Sequence, residues 1–189
     1  MNTYGKVTNK IVDSLCDILG NKNVISEPDR MESYSHDETS VDLYAHMPEV
    51  VVTVETTEQI AEIMKLATSE HIPVTPRGAG SGLSGGAIPL YGGIVLSVEK
   101  MNKIVEIDEK NLVVIAEAGI ITNELNEQLK SHGLVFAGYP MSLETCFLGG
   151  NVAENAGGGK AVKYGVTGRY VLGMEVVTPQ GDILNLGGK

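Results

Sequence analysis

Two glycine-rich tracts hold the residue types best suited to chemistry. The first, TPRGAGSGLSGGAIP at 75–89, sets Gly80, Gly82 and Gly85 in a G-x-G-x-x-G spacing. Without side chains in the way, successive backbone amides can line a concave nest for an anion, and a pyrophosphate suits such a nest. Ser81 and Ser84 add hydroxyl donors, and Arg77 adds a positive charge that either faces the phosphate or pairs with a carboxylate. Five glycines and two serines between Pro76 and Gly86 exceed what a surface turn requires. A Rossmann fingerprint would have to open a helix, which Gly86 and Pro89 interrupt, and no acidic residue follows at its ribose-binding distance.

The second tract is YPMSLETCFLGGNVAENAGGGKAVKYGVTGR at 139–169. Gly149-Gly150 and Gly157-Gly158-Gly159 bracket NVAENA, long enough for one or two helical turns. Asn151 and Asn155 are four apart, which places their amides on one helix face, able to bind backbone or ligand. Lys160, Lys163 and Arg169 gather positive charge that serves either a phosphate or a solvated basic edge. A Walker A loop is excluded because Ala161, not a hydroxyl residue, follows Lys160.

The elements that must position these tracts follow from periodicity. Val7, Ile11, Leu15 and Ile18 predict an amphipathic helix over 3–19 that stops at Gly20. Residues 26–47 are polar and aperiodic and read as an irregular arm. VVVTV after Pro48 predicts a strand. Thr56 then caps a helix with Gln59 at the capping-box position and a buried stripe of Ile60, Ile63, Met64 and Ala67. IPVT, GIVLS at 93–97, LVVIAEAG at 112–119 and LVFAG at 134–138 predict further strands, with a helix over 122–130 facing Leu125 and Leu129 inward. Residues 170–177 and 183–186 read as a hairpin across TPQGD. The fold class expected is α+β in two small lobes, joined within 97–115.

The composition is that of a globular chain: 189 residues, 42% hydrophobic and 20% charged. A formal charge of -10 argues against nucleic acid or an anionic membrane as partner. Two cysteines, Cys16 and Cys146, make neither a disulfide framework nor a thiolate metal site, and no apolar run is long enough to span a membrane. A cytoplasmic location is the expectation. Of the 23 glycines, 21 lie in 78–189, about one residue in five there, which suggests a chain folded closely around a ligand. A last strand at 183–186 would leave an open edge, so the sequence reads as the incomplete part of a larger protein.

PRGAGSGLSGG followed by CFLGGNVAENAGGGKAVKYGVTGRYVLGMEVV resembles the FAD-binding half of FAD-linked 2-hydroxy-acid dehydrogenases, the D-lactate dehydrogenase and glycolate oxidase group of the vanillyl-alcohol-oxidase superfamily. The resemblance runs from about Pro48 to the C-terminus. It implies a two-lobed FAD domain of the p-cresol methylhydroxylase (PCMH) type, truncated at its end, over 48–189, preceded by a helix and polar arm over 1–47 and lacking the substrate cap domain. By the same resemblance Pro76, Arg77, Gly78, Ala79, Gly80, Ser81, Gly82, Leu83 and Ser84 wrap the pyrophosphate. Pro140, Met141, Thr145, Gly149, Gly150, Asn151, Asn155, Gly157 and Gly158 line the cofactor, with Tyr164 and Gly165 near it.

Ser81 stands where covalently flavinylated relatives carry a histidine, which implies non-covalent FAD. His36, His46, His71 and His132 lie outside both tracts and read as surface or hydrogen-bonded groups, and Cys146 as a small packed side chain. No catalytic residue and no metal ligand is assigned. The implied activity is oxidation of a small 2-hydroxy acid such as lactate or glycolate, with electrons passed to a separate acceptor, such as an electron-transferring flavoprotein. The alternatives are a non-catalytic FAD-binding electron-transfer subunit, or a related flavoenzyme acting on another alcohol or a cell-wall nucleotide.

Overall fold

The computed structural model describes residues 4–189, which divide into two units. One runs to Lys100 and takes back Glu175–Leu184; the other comprises Met101–Met174 and Asn185–Lys189.

The first unit contains α1 (Asn9–Leu19), β1 (Val24–Ile25), α2 (Pro28–Met31), α3 (Val41–Tyr44), β2 (Val50–Thr53), α4 (Thr57–Ser69), β3 (Val74–Arg77) and β4 (Ile94–Ser97). Its sheet has the order β1-β2-β4-β3, with β1 antiparallel to β2 and the other pairs parallel. β2 and β4 pair Val50 with Ile94 and Thr53 with Ser97 and are buried at every position. Strands covered on both faces read as unbroken apolar runs, which is why VVV and IVL were legible. β2 and β3 are joined by α4 but are not neighbours, because β4 lies between them.

α1 buries Ile11, Leu15 and Leu19 but starts at Asn9, later than the spacing predicts. The preceding segment is held otherwise: the Gly5 amide donates to the His71 carbonyl at 2.8 Å and the Val7 amide to Glu49 Oε2 at 2.7 Å. Residue 3 of the predicted helix lies outside the described residues. α4 is capped as expected, the Gln59 amide donating to Thr56 Oγ1 at 3.3 Å. Gln59 Oε1 returns the bond one residue early, accepting from the Glu55 amide at 2.8 Å. The buried face is Ala61, Ile63 and Ala67, with Ile60 and Met64 half-buried.

The polar arm is not irregular throughout. It holds α2, a 3-10 turn at Glu32–Tyr34 and α3, and it buries Met31 against Ile25, Val51 and Val95 with Tyr34 packed beside them.

The second unit contains β5 (Ile104–Asp108), β6 (Val113–Ala116), α5 (Thr122–Lys130), α6 (Leu148–Ala153) and α7 (Ala161–Tyr164). β5 and β6 are antiparallel, with a bulge between Ile104 and Glu106. Ile120, Leu125 and Leu129 form the core, packed by Ile107, Val114, Phe136 and Leu148 among others. The strand expected at 134–138 does not form. Leu134 and Phe136 still pack on the core, but the Phe136 amide donates to Asn126 Oδ1 at 2.8 Å instead of joining a ladder. β7 (Gly173–Val177) and β8 (Ile183–Gly187) make the predicted hairpin, closed by a bond from the Thr178 amide to the Asp182 carbonyl at 2.9 Å. Among the described residues, no helix is long and apolar enough to cross a membrane.

Candidate cofactor-binding site

The first glycine tract leaves the end of β3, whose last residue, Arg77, pairs in register with Ser97. Arg77 is 7% exposed and its guanidinium is directed into the protein. Nη1 donates to the His36 carbonyl at 2.8 Å and the Ala87 carbonyl at 3.4 Å, and Nη2 to the Ser33 carbonyl at 2.9 Å. The group also lies 5.6 Å from the Tyr34 ring centre. Arg77 therefore neither pairs with a carboxylate nor reaches outward to a phosphate, as its charge led us to expect; it braces the loop from beneath. Burial draws its pKa down, against the charges of Tyr34, Asp37 and Glu99, yet an arginine remains cationic at neutral pH. Tyr34 in turn donates to Glu99 Oε2 at 3.1 Å, and burial followed by the charge of Glu99 and that hydrogen bond pushes its phenol up to about 12.

Over this brace the chain turns at Gly80, φ +73°, where an added Cβ would overlap Arg77 Nη2 and lie 2.5 Å from Cζ. The amides of residues 78–83 donate to none of the described residues, an uncommon run for half-buried backbone. The ends of the loop are held instead. The Gly82 carbonyl accepts from the Glu38 amide at 3.0 Å, and the Gly85 amide donates to Asp37 Oδ2 at 2.8 Å. Pro76 is an exposed residue of β3, Ala79 and Ser81 are half-buried, and Leu83 is exposed. Ser84 Oγ accepts from the Gly86 amide at 3.4 Å.

Asp37 is the residue that sequence reasoning missed. Its Oδ1 accepts from the Thr39 amide at 2.9 Å and the Thr39 hydroxyl at 2.6 Å. Burial works to raise its carboxyl, but the bonds from Thr39 and Gly85 outweigh it and hold the group below its ordinary value. The only local signal was the spacing Asp37-x-Thr39, which favours an Asx-type turn.

The second tract is built on α6 in the other unit. Gly149 is a close-approach position, its amide donating to the Ala118 carbonyl at 2.8 Å and a Cβ there falling 2.7 Å from Ala118 Cβ. A Cβ at Gly150, one residue on, would meet nothing within 4 Å. Asn151 is 3% exposed and donates from Nδ2 to Thr122 Oγ1 at 2.6 Å, while that hydroxyl donates to the Cys146 carbonyl at 3.2 Å. Cys146 is packed as expected, at 4% exposure. Asn155 does not share the helix face: α6 ends at Ala153, Asn155 takes φ +49°, and its Oδ1 accepts from the Gly168 amide at 2.8 Å. Asn151 thus ties the tract to α5, and Asn155 ties two parts of the tract together. Asn151→Ala is expected to destabilise the chain by about 1–3 kcal/mol, the range for a broken buried hydrogen bond. Urea unfolding checks this, and an unchanged midpoint would deny Asn151 that role.

Gly158 packs against residues 139–141, a Cβ there overlapping the Tyr139 carbonyl and lying 3.0 Å from the Met141 amide nitrogen. Pro140 is buried and Met141 exposed, whereas Thr145 closes a turn with its amide 2.8 Å from the Ser142 carbonyl. Gly157 meets Val166, and Gly165, φ +86°, leaves room for the Arg169 side chain. The Tyr164 carbonyl accepts from the Tyr170 hydroxyl at 2.5 Å. Lys160 lies over the Tyr139 ring at 3.9 Å and Lys163 over Tyr164 at 4.8 Å, so aromatic faces are their neighbours. Among the described residues, no group of three or more His, Cys, Asp or Glu side chains is placed to hold a metal.

The family model described as "FAD binding domain" matches residues 48–187. The chain is 38% identical over 183 residues to the glycolate oxidase subunit GlcD of Bacillus subtilis, covering 97% of this chain and 38% of that protein. It is 41% identical over 184 residues to D-lactate dehydrogenase of Anaerostipes hadrus, with the same two coverages, 97% and 38%. The chain thus spans about two fifths of the length of these relatives. Among solved structures, p-cresol methylhydroxylase with substrate bound matches at 28% identity and a TM-score of 0.83, over 94% of this chain and 35% of that one. Alkyldihydroxyacetonephosphate synthase shares the fold at 22% identity and a TM-score of 0.86, over 99% of this chain and 39% of that one. The mixed helix and sheet architecture is that of the PCMH-type flavoproteins, and the chain belongs to the FAD-binding-domain family.

Proposed function

We propose that the chain is the FAD-binding part of an enzyme that oxidises a small 2-hydroxy acid, lactate or glycolate, to its 2-oxo acid. The names of the relatives support the substrate class. The observation that carries the reading is the run of amides at 78–83, turning at a left-handed Gly80, that donate to none of the described residues. The residues fit FAD: consecutive N–H donors without partners among the described residues suit a diphosphate, and open space over Gly82 and Gly150 leaves backbone accessible in each tract.

FAD, when bound, supplies the two-electron acceptor. The chain's own residues bind and orient it. Gly78, Ala79, Gly80, Ser81, Gly82, Leu83 and Ser84 meet the diphosphate, with Pro76 at the strand end, while Arg77 braces the loop and adds positive potential from below. In the second tract, taken by itself, Pro140, Met141, Thr145, Gly149, Gly150, Gly157, Gly158, Tyr164 and Gly165 are the residues that the family resemblance assigns to the cofactor, with Asn151 and Asn155 shaping the tract. The groups that hold the substrate carboxylate and take its hydroxyl proton are supplied outside residues 1–189. A separate redox protein, such as an electron-transferring flavoprotein, receives the electrons.

The test is an anaerobic titration of the FAD-loaded protein, expressed with its complete reading frame, with D-lactate, L-lactate and glycolate. Bleaching of the flavin band by at least one acid is expected. Bleaching by dithionite but by none of the three would reject the substrate class. The cofactor is also expected to be non-covalent, because Ser81 offers no histidine nitrogen for flavin attachment. After acid precipitation the yellow flavin should stay in the supernatant; flavin retained on the denatured chain would overturn this.

A further inference from the structure

We propose that Asp37 is a positioning residue for FAD, clamping the 78–85 loop so that the amides of 78–83 are already arranged for the diphosphate. This deepens the cofactor assignment above and rests on it. The loop and the segment 33–39 are tied at four points: Arg77 Nη2 to the Ser33 carbonyl, Arg77 Nη1 to the His36 carbonyl, the Glu38 amide to the Gly82 carbonyl, and the Gly85 amide to Asp37 Oδ2. Two of the ties fix the start of the loop through a buried cation, and the other two fix its far end. Between them lie six amides that none of the described residues holds.

A flexible glycine loop would have to lose that freedom when a ligand binds, at a cost in affinity. A loop tied at both ends has lost much of it already. Of the four ties, the bond to Gly85 is the one whose acceptor belongs to a side chain, so it can be altered without moving the Arg77 brace. Asp37 is 4% exposed and carries its own support in Thr39, which holds Oδ1 and leaves Oδ2 directed at Gly85.

Asp37→Asn separates the clamp from the local turn. The amide oxygen of Asn can keep the Thr39 contacts, but its NH2 would then face the Gly85 N–H, donor against donor. Asp42→Asn removes the same charge from an exposed position on α3 and serves as the control. The measurements are FAD dissociation constants by flavin fluorescence, amide hydrogen exchange without ligand, and urea midpoints. In the wild-type chain the Gly85 amide should exchange at least about tenfold more slowly than that of Gly80, because of the two only Gly85 has an acceptor among the described residues.

Asp37→Asn should abolish that protection and raise the FAD dissociation constant about tenfold or more, the scale of one lost hydrogen bond to a charged acceptor. The urea midpoint should fall as well, as for any lost buried hydrogen bond, so the dissociation constant is read on the folded variant, and Asp42→Asn should match wild type in all three measurements. FAD affinity within twofold of wild type in folded Asp37→Asn would overturn the proposal, as would unprotected Gly85 in the wild type. If the variant does not fold, the wild-type exchange comparison decides. If the wild-type chain does not bind FAD, the cofactor assignment fails and the positioning role falls with it, while Gly85 protection still reports separately whether the clamp exists.

Discussion

Gly80→Val raises the FAD dissociation constant by about a hundredfold or more. Two effects add at this position. Gly80 sits at φ +73°, a left-handed conformation that costs an L-residue about 1–2 kcal/mol and more when the side chain is β-branched. The new Cβ also overlaps the Arg77 guanidinium, so either the loop lifts or the brace leaves its carbonyl partners. A hydrogen bond to a charged group is worth about 1.5–3 kcal/mol, so losing one of three already matches the conformational term. At about 1.4 kcal/mol per tenfold, the two together, about 2.5–5 kcal/mol, correspond to a factor of about sixty to several thousand if they fall on the bound geometry. The N-terminal helix should persist, because α1 is packed through Ile11, Leu15 and Leu19, none of which belongs to the loop. Fluorescence titration with FAD measures the effect. A folded variant binding within threefold of wild type would make Gly80 an ordinary turn residue.

The FAD-loaded 189-residue chain stays oxidised when mixed anaerobically with excess D-lactate, under conditions where the protein from its complete reading frame is bleached. Oxidation of a 2-hydroxy acid needs a cation for the carboxylate and a base for the hydroxyl proton, and misplacement by about 1 Å can cost about a hundredfold in rate. Several groups of those types have other engagements. His36 Nδ1 lies 3.0 Å from the Asp37 carbonyl, His132 Nδ1 lies 2.5 Å from Glu109, and Arg30 pairs with Glu27 at 3.2 Å. Arg77 is buried beneath the loop, and Lys160 and Lys163 lie on tyrosine rings. Stopped-flow absorbance at the flavin band decides. Saturable reduction of both proteins at one rate would require a substrate site within these 189 residues.

What the sequence disclosed depended on how local its causes were. α4 was legible because thirteen residues carry both a period and a capping box, and the hairpin because TPQGD has turn chemistry. β5 was missed because IVEID is short and carries little pattern against the background. The segment 134–138 was misread because an apolar run between two glycines looks the same whether its amides join a ladder or, as at Phe136, a side chain. The glycine tracts were legible through residue type alone as backbone-rich segments, which raised the expectation of an anion nest. The charge of Arg77 was plain, but its direction depends on carbonyls 41 and 44 residues away in the chain. Asp37, 48 residues from the Gly85 amide it holds, leaves no mark that periodicity or composition could reveal.

The most direct test of the account is an amide NMR titration of the chain with FAD and, in parallel, with riboflavin, which has the flavin ring but no phosphate. FAD should shift the amide signals of residues 78–83 more than those of α1 or α5, whereas riboflavin should leave them in place and bind at least about tenfold more weakly. FAD binding that leaves those amides unmoved, or riboflavin binding as tightly as FAD, would contradict it.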